Sequence, residues 1–210
     1  MKRIAIIGSG HLGQQIAYHI NQDTEDKVVA FFDEFQEKGS LVHKIPVIGG
    51  NNDVLNEFEN NSFDEILIAI GYKHIDFKKQ IFEDLKNKVP FYTFVHSSVY
   101  VDPSAKIGQG SVIYPRCVID QEVEIGENVL LNVSCTIAHD TKIGSHSFLS
   151  PSVAIAGFVD IGEQCIVGIN STIIDNINIA PKTQVGGGTV VINHIEKSGL
   201  YVGNPARFVR

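Results

Sequence analysis

From residue 101 onward the hydrophobic positions follow one rule. Stepping by six from Val101 through Ile107, Ile113 and Ile119 to Val185 and Val191 meets Ile, Leu or Val at sixteen consecutive positions, with no insertion. The position four residues further on, from Ala105, Ser111 and Cys117 to Thr189 and Ile195, is small or β-branched throughout. A period of six is neither the 3.6 of a helix nor the 2 of a strand. A unit that short cannot bury its own aliphatic, so neighbouring units must stack to do so. The pattern predicts a parallel β-helix with flat walls and tight corners, the aliphatic pointing inward and the small residue where the wall turns. The glycines after the aliphatic (Gly108, Gly126, Gly144, Gly162, Gly168 and Gly186) read as corner residues that need unusual backbone angles.

The first 95 residues have another rhythm. "RIAIIG", "KVVAFFD" and "DEILIAIG" read as buried strands, "IPVIGG" as a short strand or turn and "PFYTFV" as a last strand. "HLGQQIAYHI" reads as a helix with Leu12, Ile16, Tyr18 and Ile20 inward, and "NDVLNEFEN" and "HIDFKKQIFEDLKNK" as two more. Strand and helix in alternation predict a parallel sheet with helices packed on it. The expected division is an α/β domain over 1–95 and an all-β domain over 96–210.

The bulk properties narrow the partners. A net charge of −7 argues against nucleic acid. The opening "MKRIAII" is too short an apolar run for a signal peptide, and no stretch approaches the roughly 18 apolar residues that span a bilayer. A soluble cytoplasmic protein is expected, with no membrane insertion. Cys117, Cys135 and Cys165 all fall in the small-residue register and form no CxxC, so they read as core fillers.

Two stretches carry candidate chemistry. "AHD" places His139 two residues after Ile137, outside the inward register, so its imidazole projects from the wall beside Asp140. A histidine accepts a proton near neutral pH, and a neighbouring carboxylate fixes its tautomer; the plain alternative is a surface histidine beside a solvated aspartate. "GSGHLG" follows a strand and opens a helix, as a dinucleotide fingerprint does, with Asp33 ending the second strand at a distance suited to ribose contact. Taken alone it predicts NAD. About four strands make only half a dinucleotide fold, however, and glycines at a helix N-terminus cradle any pyrophosphate, that of a sugar nucleotide included.

The hexads resemble the hexapeptide-repeat, left-handed β-helix acyltransferases, in which about three hexads make one coil, so the chain would wind slightly more than five. Three stretches carry a closer resemblance, to the bacterial sugar acetyltransferases of the PglD/NeuD type: "SGH" within "IIGSGHLG", "NVSCTIAHDTKIG", and "QVGGGTVV" with "YVGNPAR". The resemblance implies a Rossmann-like front domain that holds the nucleotide of an acceptor sugar, through Gly8, Ser9, Gly10, His11, Asp33, Gly71 and Lys73. It implies His139 as general base, Asp140 as the acid that orients it, and the Gly157 N–H as oxyanion donor. Acetyl-CoA is the implied co-substrate, bordered by Gly157, Gly187, Gly188, Pro205 and Arg207, with no metal. Closed homotrimers with active sites between subunits are implied as well. The function expected on these grounds is N-acetylation of a nucleotide-linked (UDP) 4-amino-4,6-dideoxy sugar in surface-glycan synthesis. O-acetylation of sialic acid or a related sugar is the alternative, and a γ-type carbonic anhydrase, which needs three converging histidines, is a rival from another class. The family's second histidine falls where this chain has Phe148; His146, two residues earlier, is expected to point elsewhere.

Overall fold

The computed structural model describes residues 1–210, which form two compact units, Met1–Phe94 and Val95–Arg210. No helix is long and apolar enough to cross a membrane.

The first unit is an α/β sheet. Strands β1 (Arg3–Ile7), β2 (Lys27–Phe32), β3 (Leu41–Val42), β4 (Ile45–Gly49) and β5 (Glu65–Ile68) take the order β3-β4-β2-β1-β5. All neighbours are parallel except the short β3–β4 hairpin. Ile4, Ala5, Ile6 and Ile7 are all buried, as a parallel strand covered on both faces requires. Helix α1 (His11–Asp23) buries Gly13, Ile16, Ala17 and Ile20, one stripe at helical spacing. Tyr18, expected inward, lies off that stripe and is exposed. Helices α2 (Val54–Glu59) and α3 (Ile75–Leu85) complete the unit. "PFYTFV" does not add a strand to this sheet. Pro90 has no N–H to give, so the segment meets β5 only in a bridge between Phe91 and Ile66; Phe94–Val95 instead joins a wall of the second unit.

The second unit is a left-handed parallel β-helix. Sixteen two-residue strands run from Tyr100–Val101 to Val190–Val191, each ending on an aliphatic of the six-residue register. Each pairs in parallel with the strand eighteen residues away, as Ile119 does with Val101 and Ile137. Three walls result. The first begins at Tyr100–Val101, the second at Lys106–Ile107 and the third at Phe94–Val95, and a C-terminal antiparallel pair, Leu200–Val202 with Arg207–Phe208, closes the third. The register therefore starts one hexad earlier than expected, at Val95.

Inside, the stacked aliphatics form one core. The small register sits at the corners, where hydroxyls and thiols bond backbone carbonyls of the next coil: Ser111 Oγ donates to Gly126 O at 2.9 Å, Thr141 Oγ1 to Ala156 O at 2.9 Å and Cys117 Sγ to Asn132 O at 3.1 Å. The cysteines are buried and unbridged.

The corner glycines act differently from the expectation. None of the six has a positive φ. They are needed because the coils approach closely: a Cβ on Gly108 would lie 2.5 Å from the Gly126 carbonyl carbon, and one on Gly162 2.5 Å from the Pro181 nitrogen. The left-handed residue comes two positions later, at every sixth position from Gly110 to Gly188, and most of these are not glycine. The conformation costs a non-glycine residue about 1–2 kcal/mol. It aims the N–H at a carbonyl of the preceding coil, as in Asp140 N to Gln121 O at 3.0 Å and Phe158 N to His139 O at 3.1 Å, so the backbone ladder continues round the corner.

Candidate active site

His139 and Asp140 lie at the corner between the first and second walls, after the strand Thr136–Ile137. Along a strand, consecutive side chains diverge. Here Asp140 is left-handed, with φ 55°, and the turn brings its carboxylate back to the ring: His139 Nδ1 and Asp140 Oδ2 are 3.0 Å apart. Both side chains are about 40% exposed (40% and 39%), so the pair is open to a ligand. With Nδ1 turned to the carboxylate, Nε2 is the nitrogen left for proton transfer.

The next coil supplies the floor and a side of this corner. Gly157 lies under the ring; a Cβ there would be 2.6 Å from His139 Cε1 and 2.8 Å from Nε2. Phe158, itself 54% exposed, meets the imidazole edge-on at 5.2 Å and 85°. The Gly157 carbonyl accepts from Asn176 N at 3.1 Å, whereas its N–H bonds to nothing in the chain. At other corners this position is a proline, as at Pro151 and Pro181, or has its N–H taken by a side chain, as Gln121 N is by Asp120 Oδ1 and Glu127 N by Ser145 Oγ; here the N–H lies across from the histidine. A groove of about 310 Å³ lined by Ala154, Ala156, Thr172, Ile174 and Asp175 runs along the first wall to this corner.

His146 is buried, with Nδ1 3.1 Å from Asn128 Nδ2, and Phe148 is buried on the third wall. His194 Nδ1 accepts from Asn178 N at 3.0 Å. His139, His146 and His194 thus lie apart, and no group of three His, Cys, Asp or Glu residues could hold a metal ion. Gly187, Gly188, Pro205 and Arg207 are exposed at the C-terminal end of the prism. The chain folds back there, Ala206 N donating to Val190 O at 2.8 Å and Val190 N to Gly203 O at 3.0 Å. Gly187 and Gly188 occupy the corner between the third and first walls, so within one prism they are at a different corner from His139.

The first unit has a pocket of its own. It holds about 320 Å³ at the carboxyl ends of β1, β2 and β5, the place where open parallel sheets take ligands. Gly8, Asp33 and Gly71 line it, with Glu34, Phe35, Asn51, His74 and Phe77. Gly8 has φ +98° and Gly13 lets α1 close onto the Gly8 carbonyl. Asp33 Oδ2 accepts from Ser9 N at 2.8 Å and Ser9 Oγ at 2.7 Å, and Oδ1 from Phe35 N at 2.9 Å. Burial works to raise the Asp33 pKa, but these three donors outweigh it and hold the carboxyl below its ordinary range. Asp33 thereby ties the glycine loop to β2 before any ligand arrives. Gly10 caps α1 with no side chain over the helix end, and His11 is exposed at its first position. Lys73 is exposed and does not line the pocket; its neighbours His74 and Phe77 do. Sequence reasoning passed over Glu34 and Phe35, although they directly follow the aspartate it singled out.

Residues 3–85 match the family described as the PglD N-terminal domain, and residues 95–198 the GMPPB C-terminal domain family. No curated protein sequence matches the chain. The solved acetyltransferase domain of PglB from Neisseria gonorrhoeae FA1090 is 25% identical, with a TM-score of 0.87 over 100% of both chains. Its complex with acetyl coenzyme A gives 26% identity and 0.88 over 99% of each. A mutant of perosamine N-acetyltransferase from Caulobacter crescentus, solved with CoA and GDP-perosamine, is 24% identical with a TM-score of 0.93, covering 100% of this chain and 98% of that one, a likeness of fold.

Proposed function

Because the chain belongs to the PglD/NeuD type of hexapeptide-repeat sugar acetyltransferases, we propose that it moves the acetyl group of acetyl-CoA onto the 4-amino group of a nucleotide-linked 4-amino-4,6-dideoxy sugar, with His139 as general base. The observation that carries the reading is the His139 ring, oriented by Asp140 at 3.0 Å and seated over Gly157. As the amine nitrogen attacks the thioester carbonyl, Nε2 takes its proton, the C–N bond forms, the C–S bond breaks, and coenzyme A leaves as its thiol. Asp140 stabilises the imidazolium formed, and the Gly157 N–H faces the oxyanion. Positioning the two substrates supplies several kcal/mol more.

The front pocket takes the nucleotide. Its glycine loop and the uncovered N-terminus of α1 suit a pyrophosphate, with Gly8, Ser9, Gly10 and His11 nearest to it, Asp33 holding the loop, and Gly71 and His74 at the opposite rim. The resemblance in sequence suggests uridine as the base. The product serves bacterial surface-glycan synthesis in the cytoplasm.

A homotrimer completes the site. Outward positions on the first wall are Tyr100, Val118, Thr136, Ala154, Thr172 and Val190, with no charge among them. Those on the second are Lys106, Glu124, Lys142, Asp160 and Asn178, where Lys106 Nζ lies 3.3 Å and Lys142 Nζ 4.0 Å from Glu124. The second wall suits solvent, and the uncharged first wall suits a neighbouring prism. Such a neighbour supplies the Gly187, Gly188, Pro205 and Arg207 corner for acetyl-CoA, which one prism keeps away from its own His139.

The test is release of coenzyme A thiol from acetyl-CoA, with a nucleotide-linked 4-amino-4,6-dideoxy sugar and free sialic acid as acceptors. Turnover of the amino sugar that collapses in His139→Ala supports the reading. Turnover of sialic acid alone replaces the amine by a hydroxyl, since the same base serves either nucleophile.

A further inference from the structure

The pocket of the first unit contains a carboxylate that the reaction above leaves without a task. Glu34 follows Asp33 at the end of β2 and lines the cavity. Asn51 N donates to its Oε1 at 2.6 Å, and the bare Gly50 lies against it, where a Cβ would sit 2.8 Å from each carboxylate oxygen. The group is therefore held in place at the pocket wall, and its Oε2 accepts nothing from the chain. Two aromatic rings stand in the open beside it, Phe35 at 95% exposure and Phe77 at 46%, both lining the same cavity. Exposed rings flanking a pocket are stacking platforms for a flat, conjugated group.

We propose that this pocket reads a guanine base, with Glu34 accepting from its N1–H and N2–H, so that the acceptor is a guanosine-diphosphate sugar. The proposal rests on the nucleotide-sugar reading above and narrows it, replacing the uridine suggested by the sequence. The chemistry of the four bases decides it. An ionised carboxylate only accepts hydrogen bonds. Guanine alone presents two adjacent donors on its Watson–Crick edge, spaced for the two oxygens of one carboxylate. Uracil presents one N3–H between two carbonyl oxygens, so a carboxylate oxygen would face a lone pair. Adenine and cytosine set a ring-nitrogen acceptor beside their amino group, with the same result. A site that leaves a charged acceptor opposite another acceptor rejects the wrong base strongly. Asn51 and Gly50 fix the carboxylate beforehand, so none of this discrimination is lost to ordering the side chain.

The test is isothermal titration of the full-length protein with GDP and with UDP, in wild type and Glu34→Gln. Wild type is expected to bind GDP about tenfold or more tighter than UDP, the discrimination typical of a bidentate base contact. The glutamine keeps an oxygen for the Asn51 N–H and presents an amide N–H₂ in place of the second oxygen. It therefore opposes guanine's donors and matches a uracil carbonyl. GDP affinity should fall about tenfold while UDP affinity holds or rises, at an unchanged melting temperature. Equal binding of both nucleotides, a preference for UDP, or a Glu34→Gln effect shared by both overturns guanine reading and leaves the nucleotide-sugar reading standing. Failure of both nucleotides to bind overturns both readings.

Discussion

A methyl group on Gly157 separates the chemistry of the His139 corner from its folding. In Gly157→Ala the new carbon would lie 2.6 Å from His139 Cε1, 2.8 Å from Nε2 and 3.1 Å from Nδ1. Carbon contacts are comfortable from about 3.5 Å, so the ring must retreat by roughly 1 Å. Asp140 at 3.0 Å and Phe158 at 5.2 Å hold it on its other sides, so the retreat disrupts the bond to the carboxylate. A misplacement of about 1 Å at a reacting group costs on the order of 100-fold in rate, or about 2.7 kcal/mol of barrier. The fold has little reason to suffer. Gly157 is not left-handed, its N–H survives the change, and the displaced ring is part-exposed. Replacing glycine where alanine fits the backbone even stabilises by about 0.4–1 kcal/mol through the unfolded chain. The assay is thiol release under saturating acetyl-CoA, with thermal melting measured on the same samples. A kcat lower by about 100-fold with acceptor KM and melting temperature nearly unchanged is expected. Wild-type turnover would refute the placement of the base over Gly157, and a loss of activity that tracks a loss of stability would refute the separation.

Asp140→Asn should lower kcat about ten- to 100-fold with little change in melting temperature, because asparagine tolerates the left-handed corner while losing the charge that stabilises the imidazolium; a kcat–pH profile checks it. Gly13→Ala drives a side chain into the Gly8 carbonyl, and denaturant titration should register a loss of about 3 kcal/mol or more. Asp26 is held below its ordinary range first by the Lys2 N–H, and Asp33 by its Ser9 and Phe35 donors against the opposing effect of burial. Carboxyls depressed in the folded state contribute stability that is complete above the ordinary aspartate pKa of about 3.9 and is lost as pH falls through their lower folded values. Asp33→Asn should therefore flatten the stability curve below pH about 4 and leave its slope at neutral pH unchanged, as read from melting temperature against pH.

The prism was legible because its pattern is imposed locally. Each aliphatic needs only the one eighteen residues away to be buried, so sixteen repetitions stand out from composition alone. Its corners were not, because the left-handed positions are filled by Arg116, Glu122, Phe158 and Lys182 as well as by asparagine and glycine, and no shared chemistry announces them. The meeting of His139 with Asp140 was expected from the resemblance, but not how it is made: strand alternation sets neighbours apart, and the φ of 55° at Asp140 turns its carboxylate back to the ring. "PFYTFV" has the apolar density of a sheet strand, yet Pro90 removes a donor and Val95 already obeys the hexad rule. Glu34 escaped notice because the fingerprint ends on Asp33, whereas the fold binds Asp33 to Ser9 and leaves its neighbour facing the cavity.

The eighteen-residue pairing also makes the prism tolerant of changes in length in a quantised way. Removing eighteen residues deletes one coil and restacks every wall on its proper partner, whereas removing six turns everything downstream by a third of a revolution and moves each corner onto the next edge. The His139 corner draws on its own coil and on those beside it, through Gln121 below and Gly157 above. Coils nearer the C-terminus can therefore be lost or gained by recombination in whole turns without disturbing the base. The lineage is free to vary the length of its prism, while the edge that carries the histidine constrains where any cut can fall.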